Sequence, residues 1–92
     1  MSLTIELTNR FNKDYKKCIR RGLDISKLDN VIGLLKEQIP LPYNNQDHML
    51  VGDLDGYREC HIQPDWLLIY LIDLENMVVT LYRTGTHSDL FD

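Results

Sequence analysis

Three histidines, His48, His61 and His87, fall in the second half of this 92-residue chain, in the polar or turn-like settings QDHML, YRECHIQPDW and RTGTHSDLF. Histidine titrates near neutrality, so it gives and takes protons without much tuning. Asp65 stands four residues after His61 across a proline, and Arg83 follows an apolar run. A carboxylate across a tight turn can hydrogen-bond an imidazole or act as a base itself, and an arginine can hold a phosphate. Together these residues point to acid–base chemistry. Singly, each has a plainer reading: His48 a solvated loop residue, His61 a half-exposed strand end, Asp65 a turn residue, His87 a cap or frayed tail, Arg83 a solvated charge. Phe91 is either an aromatic pinned into the core or a platform for stacking a nucleobase. Zinc is the rival chemistry, since histidine and aspartate are suitable ligands. No pair shows HxxxH or HxH spacing, so proton transfer ranks above metal binding.

The elements that must position these residues can be read from periodicity. Leu3, Ile5 and Leu7 alternate with Thr4, Glu6 and Thr8, as in a half-buried strand. Asn9 is placed to cap a helix whose apolar stripe is Phe11, Tyr15, Cys18, Ile19 and Gly22, with Gly22 as its stop. A second helix starts at Asp24 or Ser26, with Ser26-x-x-Asp29 resembling a capping box. It carries Ile25, Leu28, Ile32, Leu35 and Ile39 inward and ends at Pro40. Residues 40–56 read as a loop with a short strand near His48–Val51. Three strands follow: Tyr57–Ile62, Trp66–Ile72 (nearly all apolar, so central and buried on both faces) and Met77–Arg83. A tail or helical turn covers His87–Phe91. The order predicts an α+β fold, an antiparallel sheet packed against two N-terminal helices, with Trp66 and Tyr70 in the core.

Length suits one domain over residues 1–92. Hydrophobic content of 43% and charged content of 26% are ordinary for a soluble protein. No apolar run approaches a membrane span and no leader pattern opens the chain, so a cytoplasmic protein without a membrane partner is expected. Cys18 and Cys60 form no CxxC pair and read as two buried thiols. Charge is uneven: residues 1–36 hold eight Lys/Arg and four Asp/Glu, residues 37–92 two and ten, giving +4 and −8. The basic half suits nucleic acid or an acidic partner. The acidic half repels phosphate, which tells against simple binding of free RNA.

The segments DHMLVGDLDGYRECHIQPDWLLIY and YRTGTHSDLF, with the FNKDYKK helix start and the IPLPYNNQDH connection, resemble YafQ-like toxins of the RelE/ParE superfamily, from bacterial type II toxin–antitoxin systems. The resemblance covers almost the whole chain. It implies a small antiparallel sheet with two helices on one side, and a ribosome-dependent mRNA endoribonuclease that cuts the codon in the A site. It also implies a cognate antitoxin, with DNA reached only through the antitoxin complex, and no metal or other cofactor. By motif position it implies a catalytic set of His48, His61, Asp65, His87 and Phe91, with Arg83 supporting the phosphate. On this reading His87 and a His61–Asp65 pair transfer protons, His48 holds substrate or assists, and Phe91 orients a base. Gyrase inhibition on the same fold would not need the histidines, and a non-catalytic antitoxin-binding role is a further alternative.

Overall fold

The computed structural model describes residues 1–91; Asp92, one of the acidic residues counted above, lies outside them. Strand β1 (Thr4–Leu7) leads directly into helix α1 (Asn9–Arg20). Thr8, not Asn9, is the cap: its hydroxyl accepts from the Phe11 amide at 2.9 Å and donates to the Tyr82 carbonyl at 2.7 Å. The cap therefore also ties the helix start to the sheet. Gly22 stops α1 as expected. It takes a left-handed φ of 77°, and the amides of Gly22 and Leu23 turn back to the carbonyls of Ile19 and Cys18, the paired bonds of a Schellman motif.

Helix α2 (Ile25–Lys36) opens on Asp24, whose side chain accepts from the Ser26 amide. Ser26-x-x-Asp29 is thus not a capping box. The helix also stops before Pro40: Gln38 turns left-handed at φ 59°, and Gln38 and Ile39 donate to Leu35 and Leu34. The same motif closes both helices, the second with glutamine where glycine is usual. The proline merely follows a chain that has already turned.

The other strands are β2 (His48–Met49), β3 (Arg58–Gln63), β4 (Trp66–Asp73) and β5 (Val78–Gly85), followed by a short helix α3 (His87–Phe91). The sheet order is β1-β5-β4-β3-β2. Tight turns join β3 to β4 and β4 to β5, so those pairs are antiparallel, as is β2 with β3. Strand β1 departs from the all-antiparallel expectation and lies parallel to β5, Thr4 opposite Val78 through Leu7 opposite Leu81. No hairpin joins these two, so none dictates their direction. Running parallel delivers Thr8 to Tyr82, where α1 begins its path across β5.

The core lies between the helix pair and the sheet: Phe11, Cys18, Leu28, Val31 and Leu35 meet Cys60, Trp66, Leu68, Tyr70, Val79 and Leu81. Strand β4 is central, and every residue from Trp66 to Tyr70 is buried, although Leu71 and Ile72 are only half-buried. Cys18 and Cys60 are buried free thiols, and burial pushes Cys60 up to about 12. The core holds one polar relay. The Trp66 indole N–H donates to the Thr84 hydroxyl at 3.0 Å, which donates to the Leu67 carbonyl at 2.7 Å. Thr84→Val keeps the shape but orphans the indole donor. It should cost about 1–3 kcal/mol, read as a lower urea midpoint at unchanged slope; an unmoved midpoint would show the relay to be dispensable.

Candidate active site

Helix α3 has five residues, too few to be stable alone, and it carries both His87 and Phe91. Asp89 holds it. The Thr86 hydroxyl accepts from the Asp89 amide at 3.1 Å and the Asp89 carboxylate accepts from the Thr86 amide at 2.9 Å. This Thr86-x-x-Asp89 sequence is the capping box of the chain. The same carboxylate receives two guanidinium nitrogens of Arg21, at 2.6 and 3.1 Å, and Lys17 Nζ at 3.3 Å. Arg21 and Lys17 belong to the end of α1, so that helix anchors the catalytic candidate at the far end of the chain. Gly85 permits the approach: a Cβ there would stand 2.8 Å from the Asp89 carboxylate.

Asp14 makes a second tie between α1 and β5. Its carboxylate receives Arg83 Nε at 2.7 Å and Nη2 at 3.1 Å, and the Thr84 amide at 3.2 Å. Arg83, expected in solvent or at a phosphate, is therefore mostly buried with its charge met by Asp14, and that pairing holds its guanidinium firmly protonated. Sequence spacing could not reveal a partner on another element.

Asp65 does not pair with His61. Its Oδ1 accepts from the His87 amide at 3.0 Å and lies 2.6 Å from His87 Nδ1. These two contacts, the backbone one first, hold the Asp65 carboxyl below the usual carboxylate range. A lone exposed ion pair contributes little; here one oxygen grips both the ring and the first amide of α3. With Nδ1 on Asp65, the Nε2 of His87 is left as the working nitrogen. The His61 ring meets the His87 ring edge to face at 6.0 Å between centroids, and Phe91 lies 6.5 Å beyond His87. Phe91 is half exposed rather than pinned in the core.

Glu59 was not anticipated. It is almost fully buried on β3, opposite His48 in register. Its Oε1 lies 3.5 Å from His48 Nε2 and 3.9 Å from His61 Nε2. The alternation of a strand puts Glu59 and His61 on one face, a signal available in ECH; the link to His48 depended on a register not legible beforehand. His48 is steadied from the other side, its Nδ1 lying 2.8 Å from the Gln46 carbonyl. The preceding loop is pinned to the sheet. Asp47 receives Arg58 Nε at 3.2 Å and Nη2 at 3.1 Å. It also accepts from the Tyr70 hydroxyl, which burial and this carboxylate push upward. Asn45 donates to the His61 carbonyl at 2.7 Å.

His61, Asp65, His87 and Phe91 thus converge, and Glu59 brings in His48. Among the described residues, no three His, Cys, Asp or Glu are grouped to hold a metal ion. No helix among the described residues is long and apolar enough to cross a membrane.

A five-stranded sheet beneath an αα-hairpin, with histidines gathered at the end of β3 and the start of a C-terminal helical turn, defines a RelE-like α+β protein. Residues 3–92 match the family described as the bacterial toxin of type II toxin–antitoxin system, YafQ, and the chain belongs to that family. The mRNA interferase toxin YafQ of Escherichia coli K12 is 41% identical over 88 residues, 95% of this chain and 94% of that protein. YafQ in the E. coli DinJ-YafQ toxin–antitoxin complex superposes with a TM-score of 0.90 at 38% identity over all of both chains. A metal-bound toxin from Helicobacter pylori gives 0.91 at 43% identity over 97% of this chain and 99% of that one.

Two outcomes follow for α3. Arg21 above all holds the Asp89 carboxyl far below its ordinary value. A depressed carboxyl contributes stability fully above its unfolded value, about 4, and loses it as pH falls through the folded value. NMR signals of Leu90 and Phe91 should therefore stay dispersed down to about pH 4 and collapse only below it; collapse at higher pH would remove Asp89 as the anchor. Separately, Gly85→Ala should displace α3 and lower activity about ten-fold or more, since misplacement of about 1 Å can cost 100-fold. A full-activity Gly85→Ala protein would show that the close approach is not needed.

Proposed function

We propose that this chain is the toxin of a type II toxin–antitoxin pair, an endoribonuclease that cuts mRNA on the ribosome by proton transfer between histidines, without a metal. One observation carries the reading: His87, oriented by Asp65 at 2.6 Å, stands edge to face with His61 at 6.0 Å. At that spacing the rings touch, so the scissile phosphate lies across their outer edges rather than between them.

In the proposed reaction one imidazole takes the proton of a ribose 2′-hydroxyl. The 2′-oxygen attacks the adjacent phosphorus in line, the P–O5′ bond breaks, and the other ring returns a proton to the 5′-oxygen. The products are a cyclic phosphate and a 5′-hydroxyl. Proton transfer by a placed side chain contributes about 10²–10⁴-fold. A protonated ring supplies positive charge to the phosphorane-like state. Arg83 can add to it through the N–H groups of its guanidinium that are not turned to Asp14, chiefly those of Nη1. His48, braced by Glu59, holds substrate, and Phe91 stacks a base. The ribosome offers the codon while the exposed Lys13, Lys16 and Arg20 of α1 meet ribosomal RNA. A cognate antitoxin, as DinJ is for E. coli YafQ, silences the toxin, and DNA is reached only through that complex.

Induced expression in bacteria, wild type beside His87→Ala, tests this. Wild type should arrest growth and leave mapped mRNA cuts; His87→Ala should fold normally and cut at least about 100-fold more slowly. In a purified assay, omitting ribosomes should abolish cutting and a chelator should not. Chelator-sensitive cutting restored by added metal would replace proton transfer with metal chemistry.

A further inference from the structure

The turn after β2 and the tip of α3 enclose an open notch lined by Leu50, Val51, Asp53, Leu54, Leu90 and Phe91. Val51 is 85% and Phe91 49% exposed, leaving apolar faces open to solvent beside the histidines. The turn is braced: the Leu50 amide donates to the Tyr57 carbonyl at 2.9 Å, Asp55 to Gly52 at 3.0 Å and Tyr57 to Leu54 at 3.0 Å. Gly52, at φ 77°, takes a left-handed conformation that side chains disfavour. The backbone at Asp53 is therefore held in place, at the rim of a notch whose other lining residues are apolar and whose Phe91 ring lies 6.5 Å from that of His87.

We infer that this notch is a nucleobase subsite that favours a base bearing an exocyclic amine, with Asp53 as the residue that reads it. The inference rests on the nuclease reading. A carboxylate repels phosphate, so the slot is unsuited to the RNA backbone. It suits the flat face of a base, which stacks on Phe91 and against Val51. An ionised aspartate only accepts hydrogen bonds. Adenine, cytosine and guanine offer amine donors, whereas uracil presents two carbonyls flanking a single N–H. Asparagine at the same place offers both donor and acceptor and removes the discrimination.

Two measurements test it. Cut-site mapping should show a position near the scissile bond where uracil is disfavoured by about five-fold or more, the selectivity of one ordinary hydrogen bond. Asp53→Asn should raise uracil there to parity with the other three bases. NMR titration with the four nucleoside monophosphates should shift Val51 and Phe91 signals, most weakly with the uridine nucleotide, and evenly in Asp53→Asn. Equal shifts from all four bases in wild type, or an unchanged cutting profile in Asp53→Asn, would overturn the inference. Selective shifts in a wild-type protein that cuts no RNA would uphold the subsite and overturn the nuclease reading alone.

Discussion

The Asp89 carboxylate is the contact on which the rest of the site depends. It closes the capping box of a helix too short to stand alone, and it ties that helix to Arg21 and Lys17. Asp14 repeats the arrangement two residues earlier, through Arg83 and the Thr84 amide. Helix α1 thus acts as a splint for the far end of the chain. Its basic residues have two distinct duties: Lys17 and Arg21 bind inward to Asp89, while Lys13, Lys16 and Arg20 face solvent.

The same accounting resolves the acidity of the second half. Asp47 is taken by Arg58 and Tyr70, Asp65 by His87, Asp89 by Arg21 and Lys17, and Glu59 lies between two imidazoles. Much of the −8 is structural charge with named partners, each holding a loop, ring or helix in place. Net charge over a segment says little about the field at a site when the charges are paired at hydrogen-bond distance.

What could be read beforehand followed the range of the interaction. Alternation exposed the strands, Gly22 marked a helix end, and the run at Trp66 marked the central strand. The residue types at His61, Asp65, His87 and Phe91 announced a cluster. What stayed hidden was which residue pairs with which. Asp65 is four positions from His61 yet binds His87, twenty-two away, because the pairing of Leu67 with Gly85 brings its turn beside the start of α3. Arg83 looked unpartnered because Asp14 lies on another element. Thr86-x-x-Asp89 was as plain a capping box as Ser26-x-x-Asp29 was a false one; a capping box depends on its first residue being the true helix boundary, and Asp24 had already taken that place.

The parallel pairing of β1 with β5 has a consequence for biosynthesis. The strand made first waits for the strand made almost last, and the α1 splint has nothing to hold until Arg83 and Asp89 have been made. Loop closure over such a separation comes late in folding. Until β5 has paired with β1 and β4, neither His87 nor Phe91 is in place. The site is therefore among the last parts of the fold to assemble, and a partly folded chain can hold His61 on β3 without the ring of His87 beside it.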